Sequence, residues 1–467
     1  MTLTTLACSC RAVSRLIPAI AVVAAFLPHG AQAQVRRDMF QIGAQRYLRS
    51  QIPLADPTEG HHVAATQGFG VLFYASGPDG IPKTVVRYDA FGTVQYTRVV
   101  AEQLDEWVWG QDAVCTPTHD WVAWSTNLGM YAAQVADGNA CPIVQLAATY
   151  GSVSVATDGA RFAALARETF SPCPITVRFF DSQSAEVPGS GSVSGCVGGM
   201  TNILWDPQIL LRTGAAPLVT YREQQAAAWT RYATRAFTLQ PDGTIGPKFT
   251  IVPSARSGGM HLMVTDGSIQ AFLLDQPGGN GNYVQQRFDS STGAPLSAMT
   301  PIPDDDGAAA ISSSGRFIMH RYDAQLSASV FRMFDIDGAP VTDWFAPLPE
   351  DELFPQRGVD PFYGRPVALG PDGAIYIFYV ESDGAAVIRS SMLVLRPVVP
   401  GDLDGDGRLT NFDIDPFVLA LTNREAYIAA FPHIPPEAID ILGDMNGDGL
   451  LTNFDIDPFV EALVNGP

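Results

Sequence analysis

The chain of 467 residues carries 48 acidic side chains against 28 basic ones, a formal net charge of −20. That balance argues against nucleic acid, whose binding relies on Lys and Arg neutralising phosphates, and against adhesion to anionic lipid headgroups. Thirteen of the acidic residues fall within 400–467, beside only Arg408 and Arg424, so the charge is concentrated at one end.

The first 33 residues read as an export signal. Arg11 and Arg15 precede an apolar run from Leu16 to Leu27, and Ala31-Gln32-Ala33 supplies the small residues of a cleavage site before Gln34. The run is shorter than the ~20 residues of a spanning helix, and no other stretch is long and apolar enough to cross a bilayer. Cys8 precedes the positive charges and does not suit lipid attachment. The expected location is secreted, cell-surface or periplasmic. Beyond the signal stand Cys115, Cys141, Cys173 and Cys196, an even number suited to an oxidising compartment. Three pairings are possible, and the sequence neighbours Cys115–Cys141 and Cys173–Cys196 are preferred because each pair stays within one local unit. Zinc is disfavoured, since there is no Cys-x-x-Cys and His119 stands alone.

From 34 to 398 the chain repeats itself. A small-residue or Asp-Gly turn followed by an apolar strand occurs at Thr157-Asp-Gly-Ala-Arg-Phe-Ala-Ala-Leu165, Thr265-Asp-Gly-Ser-Ile-Gln-Ala-Phe272 and Pro371-Asp-Gly-Ala-Ile-Tyr-Ile-Phe378. A second phrase follows, a strand ending in an aromatic and Asp, as in Val86-Arg-Tyr-Asp89, Gln286-Arg-Phe-Asp289 and Phe331-Arg-Met-Phe-Asp335. The unit is therefore a four-stranded antiparallel meander. First strands near 63, 114, 154, 208, 261, 308 and 366 make seven units, although the fourth lacks the Asp-Gly turn. This spacing predicts a mainly β chain, a seven-bladed β-propeller, with a pair of β-sandwiches as the competing architecture. The phrases resemble the blades of secreted propellers of the YVTN and WD-like kind.

Catalytic motifs do not stand out in this body. The run Gly189-Ser-Gly191 reads as a loop without the strand-to-helix context of a nucleophile elbow. His61-His62 lacks a ligand partner at a telling spacing, and Asp304-Asp-Asp306 reads as an exposed turn. Alternation puts Trp121 and Trp124 on opposite faces of one strand, so at least one packs in the core. Catalytic residues are unassigned. Arg396-Pro-Val-Val-Pro400-Gly401 reads as a stiff linker, with the boundary between 398 and 399.

Residues 399–467 hold one stretch written twice. Asp402, Asp404, Asp406, Thr410 and Asp413 occupy positions 1, 3, 5, 9 and 12 of a twelve-residue loop, with Gly407 at position 6 and the carbonyl of Arg408 at position 7. The second copy places Asp444, Asn446, Asp448, Thr452 and Asp455 likewise, with Gly449 and the carbonyl of Leu450. Ca²⁺ takes six to eight oxygens, and this spacing wraps them around one point, so two Ca²⁺ sites are expected. Asp415-Pro416 and Asp457-Pro458 predict helix N-termini, with Phe417, Val418 and Leu421, and then Phe459, Val460 and Leu463, on the apolar faces.

This loop–helix, spacer, loop–helix unit resembles the type I dockerin module, a calcium-dependent, EF-hand-like plug that docks enzymes and binding proteins onto cohesin receptors. Asp at position 12 agrees with that family. At positions 10 and 11, where the family often carries a hydroxyl pair, this chain has Asn411-Phe412 and Asn453-Phe454. The resemblance implies a cohesin-like or cell-surface partner read by those four residues. It also implies a displayed propeller that binds a glycan or protein, in an assembly linked to polysaccharide breakdown. The alternatives are a carbohydrate-active enzyme with its site in the propeller, or a calcium-stabilised cap whose Asn-Phe pairs are buried against the body.

Overall fold

A computed structural model describes residues 35–465, outside segments 55–60, 75–82, 102–107, 138–141, 169–173, 195–203, 212–214, 225–231, 256–260, 264–266, 275–282, 303–307, 348–355, 359–365 and 383–386 and positions 241, 243, 313 and 327. The export signal, Asp304–Asp306, Cys141, Cys173 and Cys196 lie outside the described residues. Among the described residues no helix is long and apolar enough to cross a membrane.

Five consecutive stretches, 61–101, 108–147, 151–194, 204–255 and 261–302, each fold into a four-stranded antiparallel meander. The strand Asp120–Thr126 shows why they stack. Side chains alternate along it, so Trp121 and Ala123 face one way while Val122 and Trp124 face the other. Trp121 stacks on Phe162 at 5.0 Å and Phe180 at 5.1 Å, in the sheet after its own. Trp124 meets Phe73 at 6.1 Å, in the sheet before. Both tryptophans are buried, each filling the layer between two successive sheets. First strands also pack side by side, 367–369 on 61–66, 61–66 on 108–115, 108–115 on 151–157, and 151–157 on 204–210. Sheets that bury both faces against their neighbours, with first strands together, make a β-propeller and exclude the pair of sandwiches.

The expected seven blades are corrected to six sheets. A strand lies over or next to each of the seven expected places, although the second begins at 108 rather than near 114, and those from 308 on merge into one nine-stranded sheet. The cause is the short strand Gln356–Gly358, which pairs with Ala328–Phe334 on one side and Ile375–Ser382 on the other. The same sheet takes up an N-terminal hairpin, Arg36–Ile42 and Gln45–Pro53, whose second strand pairs with the last strand, Val387–Pro397. This pairing is the seam that joins the two ends of the body.

Turns between strands close as the Asp-Gly phrases require. Asp158, Asp289 and Asp335 each accept the backbone N–H two residues on, and Gly159 takes φ +86°, where a side chain would be strained. Gly189–Gly191, expected as a loop, lies within the strand Glu186–Ser194, with Gly191 opposite Val177. The described cysteine, Cys115, is a buried free thiol, so the expected Cys115–Cys141 link does not form here. Burial pushes that thiol well up, which makes it unreactive.

Buried polar groups tie the sheets together. Arg87 donates to Asp120 at 2.7 Å and to the carbonyls of Thr116 at 2.7 Å and Pro117 at 3.0 Å, while its guanidinium lies over Phe69. Tyr96 donates to the other oxygen of Asp120. His62, read as lacking a partner, meets Asp112 at 3.1 Å across two sheets, and Asp112 accepts from Val155 N in a third. Removing one member of a buried pair strands the other charge, at a cost of about 3–5 kcal/mol, whereas an apolar replacement of both costs far less. Asp120→Ala is therefore expected to lower the denaturant midpoint followed by tryptophan fluorescence. Arg87→Met with Asp120→Leu should recover most of the loss; equal midpoints for the single and double variants would contradict the pairing.

Candidate metal centre

The last body strand runs to Pro397, so the link to the tail is only Val398–Gly401. Val398 donates to Arg46 O at 2.8 Å and is buried, so the link is packed against the body. Four short helices follow: α1 (Ile414–Thr422), α2 (Arg424–Ala430), α3 (Ala438–Gly443) and α4 (Ile456–Asn465). The spacer is thus helical, and α3 leads directly into the second loop. Its α2 and α3 are joined by Arg424, which grips Asp440 with two hydrogen bonds of 2.8 and 2.7 Å.

The two loops share their turns at positions 3 and 5 and differ at position 1. In the first, Asp402 accepts Gly407 N, Asp404 accepts Asp406 N and Asp406 accepts Arg408 N. In the second, Asp444 accepts Gly447 N, Asn446 accepts Asp448 N and Asp448 accepts Leu450 N. Position 6 takes φ +88° at Gly407 and +90° at Gly449, the turn that glycine permits. Position 12 is the hub. Asp413 accepts Leu403 N, Asp404 N and Thr410 N, and Asp455 accepts Met445 N, Asn446 N and Thr452 N. The Thr410 and Thr452 hydroxyls donate to the same carboxylates at 3.4 and 3.2 Å, so each accepts four hydrogen bonds, about as many as its lone pairs, and a cation there would take the place of the hydroxyl donor.

Asp402, Asp404 and Asp413 bring one carboxylate oxygen each within 4.8 Å of one another. Asp402 is fully buried, and its Oδ1 has no hydrogen-bond partner among the described residues. Its Oδ2 takes Arg396 at 2.7 Å and Gly407 N. An unpaired carboxylate oxygen buried beside two further carboxylates is costly unless a cation joins them. The donor set is all oxygen, which fits Ca²⁺. In the second loop Asp444 and Asp455 are buried, while Asn446, Asp448 and Leu450 are exposed.

Some expected roles shift. Asp415 and Asp457 were expected as N-caps, yet α1 and α4 begin one residue earlier. Each helix follows a single 3₁₀ turn capped by Thr410 or Thr452, whose hydroxyl accepts Phe412 N or Phe454 N. Val418 and Val460 are half exposed, because one step of 100° from the buried Phe417 and Phe459 turns them outward. Those two phenylalanines stack at 4.1 Å and join the repeats. Asn411, Phe412, Asn453 and Phe454 are exposed on the outer face, both phenylalanines at 72%.

Residues outside the loop pattern hold the tail to the body. Arg46 meets Asp444 at 3.3 Å and donates to Ile441 O at 2.9 Å. Arg396 also donates to Gly405 O and lies 3.9 Å from the ring centre of Phe91. Within the tail, Tyr427 donates to Leu403 O at 2.7 Å. Leu48 and Phe91 of the body share one apolar cluster with Leu403, Phe417, Ile439 and Phe459.

No protein-family model matches the chain, and no curated protein matches it. Among solved structures it is similar to the Dos1 propeller, at 11% identity and TM-score 0.44, covering 74% of this chain and 95% of that one. It is likewise similar to the β-propeller domain of the Trilobed protease from Pyrococcus furiosus, at 9% identity and TM-score 0.43, covering 73% and 98%. Similarity to a prolyl endopeptidase structure is 13% identity with TM-score 0.42, over 72% of this chain. The chain spans about half the length of the puromycin hydrolase and prolyl endopeptidase structures it matches.

Burial first, and then Asp413, Asp406 and Asp404, push the Asp402 carboxyl up to about 7 against the pull of Arg396. An unfolded aspartate titrates near 3.9, so between these values the cation-free folded tail holds the extra proton. That contribution to stability is complete below about pH 4 and is lost as pH rises through about 7. In chelator, amide exchange at Leu403 and Asp404, corrected for intrinsic rate, should be slower at pH 5 than at pH 8. Equal corrected rates would contradict the assignment.

Proposed function

We propose that this is an exported calcium-binding protein whose tail holds two Ca²⁺ ions and docks the propeller into an extracellular or cell-surface assembly. The observation that carries the calcium reading is the buried, unpartnered Oδ1 of Asp402 beside Asp404 and Asp413. The second loop repeats the same turn pattern with Asn446 in place of one carboxylate. Asp402, Asp404, Asp406 and Asp413 would hold the first ion, with Thr410 and the Arg408 carbonyl completing the set. Asp444, Asn446, Asp448 and Asp455 would hold the second, with Thr452 and the Leu450 carbonyl.

Docking is supported by what the tail leaves uncovered. A cap alone would bury the Asn-Phe pairs against the body, and both pairs face outward instead. Phe412 and Phe454 stand at equivalent places in the two repeats, each beside a half-exposed Ile414 or Ile456 and Val418 or Val460. Exposed apolar patches of this kind mark protein interaction sites. The partner we infer is a cohesin-like receptor, and the dockerin resemblance points to polysaccharide as the material the assembly handles.

Titration of the full chain should give two equivalents of calcium, and Asp413→Ala or Asp455→Ala should give one. Two equivalents retained in either variant would contradict the loop assignment. For docking, the full chain should capture a partner from the source cell's envelope or secreted fraction with calcium and lose it in chelator. Phe412→Ala with Phe454→Ala should reduce that capture at least about tenfold, as loss of two anchors worth ~1 kcal/mol or more each implies. Capture unaffected by chelator and by both substitutions would overturn the docking reading.

A further inference from the structure

We infer that the tail is a calcium-set latch on the seam that closes the propeller, an inference that rests on the calcium reading above. The seam is the pairing of Gln45–Pro53 with Val387–Pro397, in which Leu48 stands opposite Arg396 and Tyr47 opposite Pro397. One arginine leaves each of these two strands for the tail. Arg396, on the last strand, holds Asp402 and the Gly405 carbonyl of the first loop. Arg46, on the N-terminal strand, holds Asp444 and the Ile441 carbonyl at the entry to the second loop.

Asp402 and Asp444 are the position-1 residues of their loops, so each strand is gripped through the carboxylate that opens a calcium loop. The grip extends into packing. Leu48 of the N-terminal strand is buried in the tail's own core with Leu403, Ile439 and Phe459. Across the seam, Gln45 also donates to Val398 O at 3.1 Å. Unzipping the strands therefore requires either arginine to leave its loop, or the two loops to move apart. The stacked Phe417 and Phe459 resist that second movement.

A ligand that binds only the closed form stabilises it by mass action. An ion that fixes Asp402 and Asp444 thus holds the N-terminal strand in the ring, and its loss frees the seam before the rest of the body. Arg46 and Arg396 act as positioning residues, through the two aspartates.

The test is hydrogen exchange on the full chain, with calcium titration on the same samples. At calcium 100-fold above the loops' dissociation constant, exchange in Gln45–Pro53 should slow by about 100-fold relative to chelator. Exchange in Phe162–Glu168, three sheets away from the seam, should change far less. In Arg46→Met the calcium effect on the N-terminal strand should shrink at least tenfold. Equal protection of that strand with and without calcium, while two equivalents bind, overturns the latch and leaves the calcium sites standing. No calcium binding by the full chain overturns both. The wild-type comparison decides the matter even where the variant fails to fold.

Discussion

The tail depends on how one carboxylate divides its two oxygens. Asp402 gives Oδ2 to Arg396 on the body and keeps Oδ1 unpaired inside the loop. Burying a charge is costly unless it is matched, and here only one side is matched by the protein. The geometry makes sense when a cation supplies the rest. That division also explains the orientation of the tail. The side that meets the arginines faces the body, and the 3₁₀ turns with Phe412 and Phe454 face away.

The propeller and the tail solve different edge problems with the same hairpin. A ring of sheets must join its ends, and Gln45–Pro53 does so by pairing with Val387–Pro397. The tail then covers that pairing through Leu48, Phe91, Arg46 and Arg396. Elsewhere the sheets are held by apolar layers such as Trp121 on Phe162 and Phe180, and by Arg87 with Asp120. The ring and the tail therefore meet at one seam, where the two ends of the body come together.

Much of this was legible in the sequence because its signals are local. Asp-Gly turns and alternating strands place the first strands of most units, since turn chemistry and side-chain period act over a few residues. The loop pattern is equally local, and in the first copy it brings Asp402, Asp404 and Asp413 together. What escaped is mostly long-range. Arg46 grips a carbonyl 395 residues away, and His62 finds its carboxylate in the next sheet, contacts that no spacing rule encodes. The three-residue strand Gln356–Gly358 is too short to carry a period, yet it merges two units into one sheet. The helix starts were misplaced for a subtler reason. Asp415-Pro416 is a good N-terminal signal, but Thr410 with Asp413 makes a capping box one turn earlier.

The most direct measurement of the central claim is anomalous diffraction from crystals of the full chain grown with calcium. The account predicts one peak in each loop, with Asp402 Oδ1 at about 2.3–2.6 Å from the first ion and Asp444 at a like distance from the second. Loops that show no peak at saturating calcium, with Asp402 Oδ1 still unpaired, would contradict it.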